Sequence, residues 1–139
     1  MLFLDRTHLT TLEEGADIWN HWREENPSVK PDLGRAHLNG ADLKKANLNE
    51  ANLSNADLSG ARIINVELNG ATLTDCRVFG ISVWGLKGLE EAEQSNLIIT
   101  PEGESLITVD DVEVAQFIYL MFHSEKIRNV LNTIGKKVC

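Results

Sequence analysis

The side chains able to do acid–base, nucleophilic or metal chemistry are few and scattered. His8, His21, His37 and His123 have no His or Cys neighbour at metal-ligand spacing, so no metal site is expected. The two cysteines are Cys76 and Cys139, too few for the disulfide framework of a small secreted protein. The stretch PEGES, residues 101–105, lacks the Gly-Lys-Ser/Thr of a phosphate loop, and no Gly-x-Ser-x-Gly elbow or Cys–His arrangement is visible. One segment does hold six acids, Asp32, Asp42, Glu50, Asp57, Glu67 and Asp75, which could work as paired carboxylates if the fold brought two together.

Whether it does depends on the element that carries them. From Pro31 to Gly85 the chain repeats every five residues without a slip. The centres of the eleven pentads are Leu33, Leu38, Leu43, Leu48, Leu53, Leu58, Ile63, Leu68, Leu73, Val78 and Val83. Two residues before each centre stand Pro31, Ala36, Ala41, Ala46, Ala51, Ala56, Ala61, Val66, Ala71, Cys76 and Ile81. A helix turns about 100° per residue, so leucines five apart would sweep round all its sides. A flat strand fails because the steps of two and three reverse its alternation of faces. The chain must turn a corner in each pentad, and repeated corners of one sense wind it into a β-solenoid whose turns stack at about 4.8 Å.

Motifs such as ANLNE, ANLSN and ADLSG resemble the pentapeptide-repeat family, A-(D/N)-L-X-X. The resemblance implies an all-β solenoid, a right-handed quadrilateral β-helix of four pentads per coil and about three coils. Residues twenty apart then lie above one another, and the six acids fall on different columns or levels. They read as a solvated surface, and no catalytic residue or cofactor is expected. Cys76 points inward and reads as core filler. The departures Val66, Cys76 and Ile81 come late, so the coil is expected to widen or end there. Gly40, Gly60 and Gly80 form an outward column of corners suited to positive φ.

A short solenoid exposes its core and strand edges at both ends and needs caps. This divides the chain into an N-terminal helical cap (1–30), the repeats (31–85) and a C-terminal hairpin with helices (86–139). In the first, a capping box from Thr10 to Glu13 or Thr11 to Glu14 predicts a helix start, with Leu12, Ala16, Trp19 and Trp22 at helical spacing and a stop at Pro27. Trp19 and Trp22 are the expected end-plug. In the last, NLIITPEGESLITV predicts a hairpin about Pro101 to Ser105, with Ser95–Leu97 as a stray pentad out of frame. Asp110 or Asp111 then caps one helix, and Ser124 starts another carrying Ile127, Val130, Leu131 and Ile134.

Composition fits one small domain: 139 residues, 42% apolar, 24% charged. No apolar run reaches membrane length and no leader is visible, which predicts a cytoplasmic protein; the family resemblance implies a bacterial one. The net charge of −8 divides into −3 over residues 1–30, −1 over 31–85 and −4 over 86–139.

Some relatives in the family mimic DNA and act on type II topoisomerases such as gyrase. The nearly neutral coil gives that reading little support, since a mimic needs a long negative surface. Direct nucleic-acid binding is not expected either, because Lys44 and Lys45 are the only basic pair on the coil. The segment VAQFIYLMFHSEKIRNVLNTI also resembles a connector that precedes a Toll/interleukin-receptor-like domain in longer proteins, which would make this chain a regulatory part.

The reading favoured here is a non-enzymatic scaffold or protein-interaction module with an unknown protein partner and a possible dimer contact through the C-terminal segment. Its candidate partner-binding residues are Ile64, Phe79 and Trp84, apolar side chains on outward positions. The simplest cover for that patch is the chain's own tail, through Phe117 or Met121.

Overall fold

In a computed structural model, which describes residues 6–138, the pentads pair with a constant offset. Parallel bridges join Asp32 to Asn52, His37 to Asp57, Asp42 to Arg62 and Asn47 to Glu67, each a step of twenty residues. Two hydrogen bonds make each rung: Asn52 N–H donates to the Pro31 carbonyl at 2.8 Å, and Leu33 N–H to the Asn52 carbonyl at 2.7 Å. Four columns of rungs result, beginning at Asp32, His37, Asp42 and Asn47, and the fold is β-helix-like.

The corner lies in the last three residues of each pentad. Ala36 N–H donates to the Leu33 carbonyl at 3.1 Å, and the same closure recurs at Ala41, Ala46, Ala51, Ala56 and Ala61. The residue before the closing amide has a positive φ, whether Gly40 at 71° or Arg35 at 61° and Lys45 at 66°. The Asn or Asp of the motif shapes the same corner, because its side-chain oxygen accepts the N–H two residues on. Asp32 takes Gly34, Asp42 takes Lys44, Asn47 takes Asn49, Asn52 takes Ser54 and Asp57 takes Ser59, all at 3.0–3.1 Å. Corners this frequent leave room for little strand. Only β1 (Arg62–Ile64), β2 (Ser82–Trp84), β3 (Leu97–Ile98) and β4 (Thr108–Val109) extend beyond a single bridge.

Each pentad turns its centre and its alanine position inward. The eleven central side chains from Leu33 to Val83 are all at most 3% exposed. Val66, Cys76 and Ile81, at 0–2% exposure, do not end the coil, the second of the two outcomes expected there. The larger side chains are accommodated and pairing runs on past Gly85, with Lys87 on Glu67, Glu93 on Thr72 and Ile98 on Arg77. The last two steps are of twenty-one residues, and the short 3-10 turn Leu89–Glu91 lies in the segment that holds the extra one. Leu97, in the out-of-frame triplet, is fully buried.

At the N-terminal end stand α1 (Arg6–Glu13) and α2 (Ala16–Glu25). The expected helix start at Thr10 or Thr11 is wrong: α1 already runs through both, and the chain breaks at Gly15, whose φ of 114° no helix accommodates. From α2 a set of side chains replaces the missing strand below the fourth column. Asn20 Oδ1 accepts the Asn47 N–H at 2.8 Å, and its Nδ2 donates to the Lys45 carbonyl at 2.9 Å. Trp19, fully buried, donates from Nε1 to the Asn47 carbonyl at 2.7 Å. Arg23 donates to the Asn47 and Asn49 carbonyls at 2.7 and 2.8 Å. Burial pulls the Arg23 guanidinium below its usual value, and the carboxylates of Glu50 and Glu67 oppose that shift. Over the first column, His8 Nδ1 accepts the Asp32 N–H at 2.9 Å. Trp22 stacks at a tilt on Trp19 and His8, with ring centroids 5.3 and 5.0 Å away.

The C-terminal end is built from the antiparallel β3–β4 hairpin, pairing Leu97 with Val109 and Ile98 with Thr108, followed by α3 (Val112–His123) and α4 (Glu125–Val138). Asp111 caps α3 by accepting the Glu113 and Val114 amides, while Asp110 accepts Asn96 N–H at 2.9 Å. Val112 and Ala115 press α3 into the core at 1% and 2% exposure.

Two stability effects follow. Arg35→Gly removes a side chain from a left-handed corner and should raise unfolding free energy in urea by about 0.5–1 kcal/mol. Asn20→Ala strips two backbone partners from the edge rung and should lower it by about 1–3 kcal/mol; equal stability of variant and parent would show that this edge needs no closure.

Candidate functional site

The third column departs from the rest. In its upper two rungs the Asx residue is replaced by Arg62 and Ser82, and the centres are followed by Ile64 and Trp84. Here the turn-closing hydrogen bond found at the other corners is not formed from Val66 or Leu86. The chain runs straight as β1 and β2 instead. They pair in parallel, Arg62 on Ser82, Ile63 on Val83 and Ile64 on Trp84.

The outer side of this strip carries Trp84 above Ile64, with Lys44 continuing the line one turn earlier and Arg62 and Asp42 on the neighbouring line. Trp84 is 64% exposed, the most exposed aromatic side chain of the coil. Its strand is held by α3: Gln116 Oε1 accepts the Val83 N–H, and Gln116 Nε2 donates to the Val83 carbonyl at 3.0 Å. This is the bonding an added strand would supply, and it mirrors Asn20 at the other end. At the corner, Gly85 has a φ of 62°, and a Cβ there would run into the Asn65 side chain.

The three residues expected to form one apolar patch are therefore divided. Phe79 belongs to the second column and is half-buried under the tail, where its ring meets Tyr119 at 5.1 Å and His123 at 5.7 Å, both nearly perpendicular. The covering residues are not Phe117 or Met121. Only Val112, Ala115, Gln116, Tyr119 and His123 share the coil-facing stripe of α3, which turns Phe117 outward to 48% exposure. Ile64 is half-buried and Trp84 is left open. Sequence reasoning missed Gln116, Tyr119, His123, Asn20 and Arg23. The signal for Gln116 was available, since it is the one amide in a helix that is otherwise almost wholly apolar.

The groups considered for chemistry are tied up structurally or stand apart. Asp32, Asp42 and Asp57 hold corners, and Glu50 pairs with Lys30 at 3.3 Å. His21 contacts Glu25 at 3.1 Å, while His123 stacks on Tyr119 at 4.2 Å. Among the described residues no group of three or more His, Cys, Asp or Glu could hold a metal ion, and no helix is long and apolar enough to cross a membrane. Cys76 is fully buried with its Sγ donating to the Leu53 carbonyl at 2.9 Å. Burial pushes its thiol up to about 12, with Asp75 adding to the shift, so it is no nucleophile near neutral pH.

A stack of five-residue corners with a flat, apolar-centred strip defines a β-helix-like repeat protein whose exposed specialisation is a surface. Residues 32–77 match the pentapeptide repeats family in eight copies, and this part of the chain is a pentapeptide-repeat array. No curated protein and no solved structure matches the chain significantly.

The Cys76 shift sets a pH effect. Because the folded thiol holds its proton to a higher pH than the unfolded one, its contribution is intact below about pH 8.5 and is lost as pH rises toward 12, at about 1.4 kcal/mol per unit. Cys76→Ala should flatten that alkaline loss in denaturant titrations; an unchanged slope would mean that the thiol is accessible.

Proposed function

We propose that the chain is a non-enzymatic protein-interaction module. Its repeats form a right-handed quadrilateral β-helix of about three coils that holds a docking strip rigid. The partner is a protein whose surface combines an apolar pocket with acidic groups. The observation that carries this reading is Trp84, an exposed tryptophan on a strand pinned by Gln116 and stacked in register on Ile64. Tryptophan and arginine anchors dominate protein interfaces, and a backbone held in advance has less order to gain on binding.

Charge supports the choice of partner. Three of the coil's five bases, Lys44, Lys45 and Arg62, lie on or at the corner of this column, against Asp42 as its one acid. The chain as a whole is at −8, so the strip is a basic area on an acidic protein and steers acidic surfaces toward Trp84. A DNA-mimicking role would call for the opposite distribution.

The test is capture from native lysate on immobilised protein, with thermal melts as the folding control. Trp84→Ala should abolish capture and Arg62→Glu should weaken it about tenfold or more, each with a melting temperature close to the parent's. Undiminished capture by Trp84→Ala would contradict the proposal, as would a variant that loses capture by unfolding.

A further inference from the structure

The C-terminal helices raise a separate question, because their apolar surface is incompletely used. Among the described residues, eight of the eleven exposed large apolar side chains fall between 106 and 134. Nine of the twelve residues of α3 are apolar or aromatic, a pattern proper to a helix covered on all sides. Yet α3 is covered only in part, by the coil end along one stripe and by β4 and α4 on others. Phe117 and Phe122 are left 48% and 63% exposed, and Val130 and Ile134 on α4 are 58% and 52% exposed.

Charge around this surface is segregated. Residues 102–113 hold Glu102, Glu104, Asp110, Asp111 and Glu113 with no base, a net of −5, and flank the exposed Leu106 and Ile107. By contrast α4 holds Lys126, Arg128 and Lys136 against Glu125, a net of +2, and carries Val130 and Ile134. No ion pair joins the two groups among the described residues.

We propose that this surface is the contact between two copies of the chain, related by a two-fold axis. A two-fold contact sets each patch against the patch it complements twice over. The acidic, apolar edge of one copy meets the basic, apolar α4 of the other, and the exposed faces of α3 close between them. An anionic membrane fits worse, since the five acids of 102–113 would approach it together with α4. The contact leaves the Trp84 strip free and does not depend on it.

Sedimentation equilibrium of the full chain from roughly 1 to 100 micromolar tests this. The expected result is a dimer that weakens with salt. Val130→Glu with Ile134→Glu should give a monomer of unchanged circular dichroism. Should that pair unfold, a charge swap keeps the test open: Lys126→Glu with Arg128→Glu should weaken the dimer about tenfold, and adding Glu102→Lys with Glu104→Lys should restore it. A monomer at every concentration overturns the proposal, as does a monomer that binds phosphatidylserine-containing vesicles. Trp84→Ala should leave the dimer intact, so the dimer and the docking strip fail independently.

Discussion

Everything in this protein depends on backbone pairing between residues twenty apart. An interior rung satisfies its amide and carbonyl from the turns above and below, but the first and last turns have a neighbour on one side only. An unpaired, partly buried backbone group costs as much as a lost hydrogen bond, and an open edge is a template for unwanted pairing. The chain answers in the same way at both ends: a primary amide, Asn20 or Gln116, presents the acceptor and donor of an absent strand. The helices bring these amides into place, and their apolar faces cover the core at the same time.

The repeat itself is chemically quiet, and its regularity explains why. Every motif residue is occupied mechanically, with alanine and leucine filling the interior, Asn or Asp bending the chain, and the fifth residue taking the left-handed corner. Little is left over for recognition. Specialisation arises where the closing hydrogen bond is missing, since the paired strands Arg62–Ile64 and Ser82–Trp84 give Trp84 a flat support. A lapse in the folding rule thus creates the one surface on the coil that resembles an anchor.

The coil was legible because a five-residue period admits no other regular structure, and the inward positions follow from the same count. What the period could not convey was non-periodic. The break at Gly15 divides α2 from α1 inside what reads as one helix. The extra residue near Leu89 shifts the frame by one, so the pairing beyond Gly85 is hidden from a strict count. The tail was harder still: α3 is apolar nearly all round, so hydrophobicity does not say which stripe meets the coil. Gln116 and Tyr119 decide it, through a backbone hydrogen bond and a ring contact that periodicity does not express.

The most direct test of this account is amide hydrogen exchange at the two end rungs. If side-chain amides stand in for missing strands, the Asn47 and Val83 N–H groups exchange as slowly as interior rungs such as Asn52 and Asp57, and Val83 alone becomes fast in Gln116→Ala. Loop-like exchange at Asn47 and Val83 in the parent protein would contradict it.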